Sequence, residues 1–179
     1  MNKMDYDGLL MCRMQGRIFE LSLEEENDSE FFIRNYMNSN PALLMDKNWF
    51  LNSSQLEWQV LEEIEETYGK NNFGKEKFSL DEMYWIGYVY RFWAYTFDMK
   101  SSEIYKMCNG NEMRNIYLPY HTMDPLNAIE RIMEAKEYTP IIKTIEKEKM
   151  KISPEREKEL IERTRKLIEE KLGISESDS

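Results

Sequence analysis

Histidine and cysteine are scarce in this chain, and their scarcity removes whole classes of chemistry. There is one histidine, His121, and there are two cysteines, Cys12 and Cys108, far apart and outside any CxxC pair. Neither a disulfide framework nor a cysteine zinc site is signalled. The carboxylate metal sites of helical bundles need a Glu-x-x-His pair on each of two helices, which a single histidine cannot supply. No GxGxxG or P-loop run occurs, so no phosphate-cradling glycine loop is expected. Long apolar runs are missing too: nowhere do eighteen apolar residues follow one another, and the opening MNKMDYDGLL has acids where a signal peptide needs bases. Basic charge is in deficit, with 24 Lys and Arg against 34 Asp and Glu, a net −10. That argues against direct binding to nucleic acid or to an anionic membrane, both of which need basic surface. These absences predict a cytoplasmic protein without metal or cofactor. Its natural partner is a basic protein, or one whose basic groove normally holds nucleic acid.

Aromatic residues, by contrast, are abundant and clustered. Of the 23 in the chain, eight (Tyr84, Trp85, Tyr88, Tyr90, Phe92, Trp93, Tyr95, Phe97) fall within fourteen positions of the stretch 79–100. Ser79 followed three residues later by Glu82 is a capping box, and Phe78 stands where it can staple onto Met83. A helix of about five turns is predicted at the usual 3.6 residues per turn. On it Trp85, Val89, Phe92, Trp93 and Thr96 make one broad face, and Tyr84, Tyr88, Arg91 and Tyr95 a flanking stripe. Gly87, Ala94 and Asp98 fall on the far side. A helix apolar nearly all round is enclosed by others, so this one is expected to be the central post of an all-α domain.

The remaining segments read as amphipathic helices with local caps. Leu10, Met11, Met14, Ile18 and Leu21 recur at three and four between about residues 7 and 23, against Arg13, Gln15, Arg17 and Glu20. Asp28 caps a short helix that ends before Asn40 and Pro41, and a helical turn or two is expected within 41–52. Ser53 or Ser54 opens a third helix to Tyr68 with Leu56, Val60, Leu61 and Ile64 inward and Glu62, Glu63, Glu65 and Glu66 outward. The segment 69–78 is a loop. Ser101 or Ser102 caps the next helix, and Asn109 with Gly110 suits a left-handed C-terminal cap. A short helix over 111–117 leads to the link LPYHTMDP, where Asp124 and Pro125 open a helix to about Lys136.

Composition then changes abruptly. Residues 139–179 contain no aromatic residue, and the charge shifts from −10 over 1–135 to +2 over 136–172. The expected organisation is a globular helical domain over 1–138, a charged helical arm over 139–173 and a disordered tail over 174–179. In the arm Leu160, Ile161, Thr164, Leu167, Ile168 and Leu172 line one face. That face must lie against the body or, in a homodimer through residues 154–172, against another copy.

Each candidate site has a plainer alternative. Tyr84, Tyr88, Arg91 and Tyr95 put hydroxyls and a guanidinium on one helical edge, suited to an anion or a partner's carboxylate. The plainer reading makes them core margin, with Arg91 paired to Asp98 or a glutamate. His121 with Asp124 could serve a base or a partner contact, or merely pack the link. Glu62 and Glu66 belong to an acidic face that is either solvated or a mimic of nucleic acid. The segments MQGRIFELS, FFIRNYMNS, LEEIEE, MYWIGYVYRFWAYT, SSEIYK and YLPYHTMDPLNAIERI, spread over 8–135, together resemble a family of small all-helical Firmicutes proteins. Members of that family occur in mobile-element and toxin–antitoxin neighbourhoods beside ADP-ribosyltransferase-like toxins. The resemblance implies a non-enzymatic inhibitor of antitoxin type that binds a co-encoded toxin through the helical surface. The arm lies outside the resemblance; its change of composition makes it a detachable element, and Leu160 and Leu167 on its apolar face are expected among the contacts. Two alternatives are weighed against it. One is an acidic, anti-CRISPR-like inhibitor of a Cas nuclease, and the other is a small enzyme working with carboxylates or His121.

Overall fold

The computed structural model describes residues 2–47, 55–70 and 76–136. Among these residues the fold is all-α, 77% helical and without a strand. The chain divides into two compact units, Met1–Ile132 and Met133–Ser179, and the described residues belong to the first except 133–136. The expected arm, its residues Leu160 and Leu167 and the tail lie outside the described residues, as do Ser53 and Ser54.

Local chemistry fixes most of the helix starts. Helix α1, Tyr6–Leu21, is capped by Asp5, whose carboxylate accepts from the Gly8 amide at 2.8 Å, and runs into a 3-10 turn, Ser22–Glu24. Asp28 caps α2, Ser29–Met37, by accepting from the Phe31 amide. Ser39 caps α3, Asn40–Asp46, which has Pro41 in its first turn, where a missing N–H costs nothing. Helix α4 is Glu57–Tyr68. Helix α5, Leu80–Phe97, opens on the expected capping box: Glu82 accepts from the Ser79 amide at 2.6 Å and Ser79 from the Glu82 amide at 3.2 Å, with Phe78 and Met83 buried. Helices α6, Ser101–Met107, and α7, Gly110–Tyr120, follow, and α8 is described over 125–136. Asp124 caps α8 through the Leu126 amide at 2.9 Å.

The aromatic helix α5 is indeed central, contacting α1, α6 and α7, with α1 its most extensive neighbour. Several local expectations are corrected. The face of α5 carrying Gly87 and Ala94 is the side pressed on α1. A Cβ on Gly87 would lie 2.7 Å from the Gln15 carbonyl and 2.8 Å from the Phe19 ring, so only glycine allows the backbones to come this close. Leu56 is exposed, because α4 begins one residue after it and the Gln59 side chain accepts from its amide. Asn109 starts a helix instead of ending one, in a reciprocal box with Glu112 at 2.9 and 3.0 Å. Helix α7 also continues past Pro119, which sits in the last turn.

Candidate functional site

Arg91 does not stand on an outer edge. It is 1% exposed, and its guanidinium ties α5 to three other helices. Nε donates to Gln15 Oε1 at 2.9 Å, Nη1 to Asp46 Oδ1 at 2.8 Å and Nη2 to Ser101 Oγ at 2.8 Å. Neither Asp98 nor a glutamate is its partner. The Asp46 carboxylate also accepts from the Ser101 amide at 2.9 Å and the Ser101 hydroxyl at 2.7 Å. It thereby caps the first turn of α6 from another helix, so Ser101 is a first-turn residue and Lys100 the cap position. Gln15, expected on the polar face of α1, is wholly buried and donates to the Gly87 carbonyl at 3.0 Å. Buried charge of this kind is tolerated because every hydrogen-bonding arm is matched. It holds the bundle and is inaccessible to a partner.

The tyrosine stripe also has an internal use. Helix α1 presents Gly8, Cys12 and Gly16 at four-residue spacing, and the side chains of Tyr95 and Tyr84 lie against Gly8 and Gly16. The order along the two helices shows that they run antiparallel. The Tyr95 hydroxyl donates to Asp5 Oδ1 at 2.8 Å; burial, together with this bond, pushes the phenol up to about 12. Asn2 closes the same end by donating to the carbonyls of Thr96 (2.6 Å) and Tyr95 (3.1 Å). Tyr84, Tyr88 and Phe92 form a stacked row with ring centroids 6.3 and 6.4 Å apart, half-covered.

His121 is exposed, stacked on Tyr117 at 4.7 Å, and its Nδ1 lies 3.1 and 3.0 Å from the carbonyls of Tyr117 and Leu118. Tyr117 meets Trp85 edge-on at 5.6 Å. The imidazole therefore finishes α7, and Asp124 caps α8. The structure does not join the two into an acid–base pair. Among the described residues no group of three His, Cys, Asp or Glu is placed to hold a metal ion, and no helix is long and apolar enough to cross a membrane.

Glu62 and Glu66 remain exposed on α4, away from the buried Val60 and Ile64. On the same side, one turn earlier, stands Trp58, 57% exposed, with Leu56 exposed beside it. Trp58, Glu62 and Glu66 recur at four and so share one stripe. Sequence reasoning passed over Trp58; its signal was an indole set opposite the Val60 and Ile64 positions of an amphipathic helix. The acidity continues beyond α4. Lys70 pairs with Glu65 at 3.1 Å, and its ammonium is held above its ordinary value by that bond first, with Glu26 and Glu25 adding to the field. This row joins an exposed aromatic side chain to exposed carboxylates on one helix face. No protein family, curated protein or solved structure matches the chain.

Proposed function

We propose that this chain is a non-enzymatic, protein-binding inhibitor of antitoxin type, which neutralises a toxin by covering a basic surface on it. The observation that carries this reading is the outer face of α4, where an exposed tryptophan heads a row of exposed glutamates. Tryptophan is the residue most enriched at interface hot spots, and acidic neighbours select and steer a basic partner. The resemblance to proteins of toxin–antitoxin neighbourhoods supports the same reading. The test is growth rescue. A protein encoded beside this one should arrest growth when expressed alone, and co-expression of this chain should restore it. Trp58→Ala combined with Glu62→Lys should weaken the complex about 30-fold or more, the usual loss for a hot-spot aromatic, without unfolding the chain. Harmless neighbouring genes, or full rescue by the double variant, would overturn the proposal. The carboxylates of Glu65, Glu26 and Glu25 around Lys70, beside exposed Glu62 and Glu66, favour a second reading, an inhibitor seated in the basic channel of a nucleic-acid enzyme. In that case a nuclease would be the target, and the complex would dissociate as salt is raised.

A further inference from the structure

Resting on the protein-binding reading, we infer that α4 is the inserting element of the interface. Trp58 enters an apolar pocket on the partner, and the rim of that pocket carries lysine or arginine opposite Glu62 and Glu66. Three features point to this occupant. The face is convex and fixed: Val60 and Ile64 anchor the helix from behind, and Gln59 secures its first turn. Inserting Trp58 therefore loses little conformational freedom. The carboxylates stand in a straight row, since four residues of helix rise about 6 Å and the span from Trp58 to Glu66 is about 12 Å. Among the described residues they are also uncompensated. Glu62 and Glu66 make no ion pair among the described residues, whereas the nearby cation Lys70 is already taken by Glu65. An aromatic anchor beside unneutralised carboxylates is complementary to an apolar pocket with a basic rim. A second copy docking through this same face would bring glutamate against glutamate, and an acidic partner would do the same.

Photo-crosslinking of the full chain in its host tests this. The photo-reactive residue p-benzoylphenylalanine replaces Trp58 in one variant and Leu118, 78% exposed on α7, in another. Position 58 should yield an adduct about tenfold stronger than position 118, as expected for an interface centre against a distant site. The captured partner peptide should be rich in lysine or arginine, and the yield should fall several-fold between about 50 and 300 mM salt. An adduct between two copies of this chain, an acidic or neutral captured peptide, a salt-independent yield, or adducts from 118 with none from 58 would each overturn the inference. Its failure is separable from that of the antitoxin reading. A basic peptide captured at 58 from a protein that is harmless to the cell upholds the docking and removes the antitoxin role. A toxin captured only at 118 does the reverse.

Discussion

At the residue scale the decisive group is Arg91, whose side chain serves α1, α3 and α6 at once. Removing it leaves the Asp46 carboxylate, only 10% exposed, without its cation. Arg91→Met is therefore expected to lower the unfolding free energy by about 3–5 kcal/mol, read from the urea midpoint. A loss below about 1 kcal/mol, the range of exposed pairs, would mean the knot is solvated. Arg91→Lys should rescue little, since a single ammonium cannot match a planar fork with three separate acceptors. Cys12 is a second buried residue with a measurable signature. Burial pushes its thiol up to about 12, outweighing the opposing pull of the Arg91 charge. Only the thiolate is nucleophilic, so at pH 8 the folded protein should leave Cys12 unlabelled by a disulfide reagent, and unfolding in urea should expose it. The sign for stability follows: the protonated thiol favours the fold below the unfolded pKa, and that contribution drains away as pH rises towards 12. Rapid labelling of Cys12 in the folded state would show that the α1–α5 seam opens.

At the element scale that seam depends on missing side chains. Gly87→Ala would place a methyl against the Gln15 carbonyl, the Phe19 ring and the Gly16 backbone, at 2.7, 2.8 and 3.0 Å. None of these can swing aside easily, and the expected cost is about 1–3 kcal/mol. Gly69→Ala makes a useful contrast in cause, since it has open space around it, but its φ of +73° with ψ of −175° is a conformation essentially reserved for glycine, so its cost of about 1–3 kcal/mol is purely conformational. A Gly87→Ala loss below about 0.5 kcal/mol, measured by urea unfolding, would refute the close-packed seam. Much of this architecture was legible in the sequence where the physics is local. The caps at Asp28, Ser79 and Asp124 and the periodicity of α1 and α5 all act within a few residues. Arg91 with Asp46 was not legible, because the pair is separated by 45 residues and the chain offers nearer acids. Gly87 was placed on the wrong side because a small residue reads as an exposed gap until a neighbouring backbone fills it. Asn109 and Gly110 misled for another reason: asparagine caps either end of a helix, and only Glu112 decides between them. Of the candidate site, Glu62 and Glu66 were legible as outward glutamates, whereas Trp58 stands out only once Val60 and Ile64 on the opposite face are seen to be the buried ones.

At the scale of the whole molecule, the net charge is −10, and the exposed ion pairs among the described residues include Arg17 with Glu20, Lys70 with Glu65, and Arg114 with Glu76 and Glu82. Self-repulsion should outweigh them. Raising salt from about 20 to about 200 mM is expected to raise Tm by a few degrees, because screening relieves the repulsion while the buried Arg91 pair is barely touched. A falling Tm would show that the exposed pairs matter more. The antiparallel contact of α1 with α5 bears on how the protein is made. Gly8 and Gly16 must wait for Tyr95 and Tyr84, so the ribosome has to deliver the whole stretch between them before α1 meets its most extensive neighbour. At the usual 5–20 residues per second that interval is about 4–15 s. During it α1 has α2 and α4 to pack on, the former through Phe19 against Phe32 and Tyr36, and the rest of its buried face is completed last, when α5 arrives.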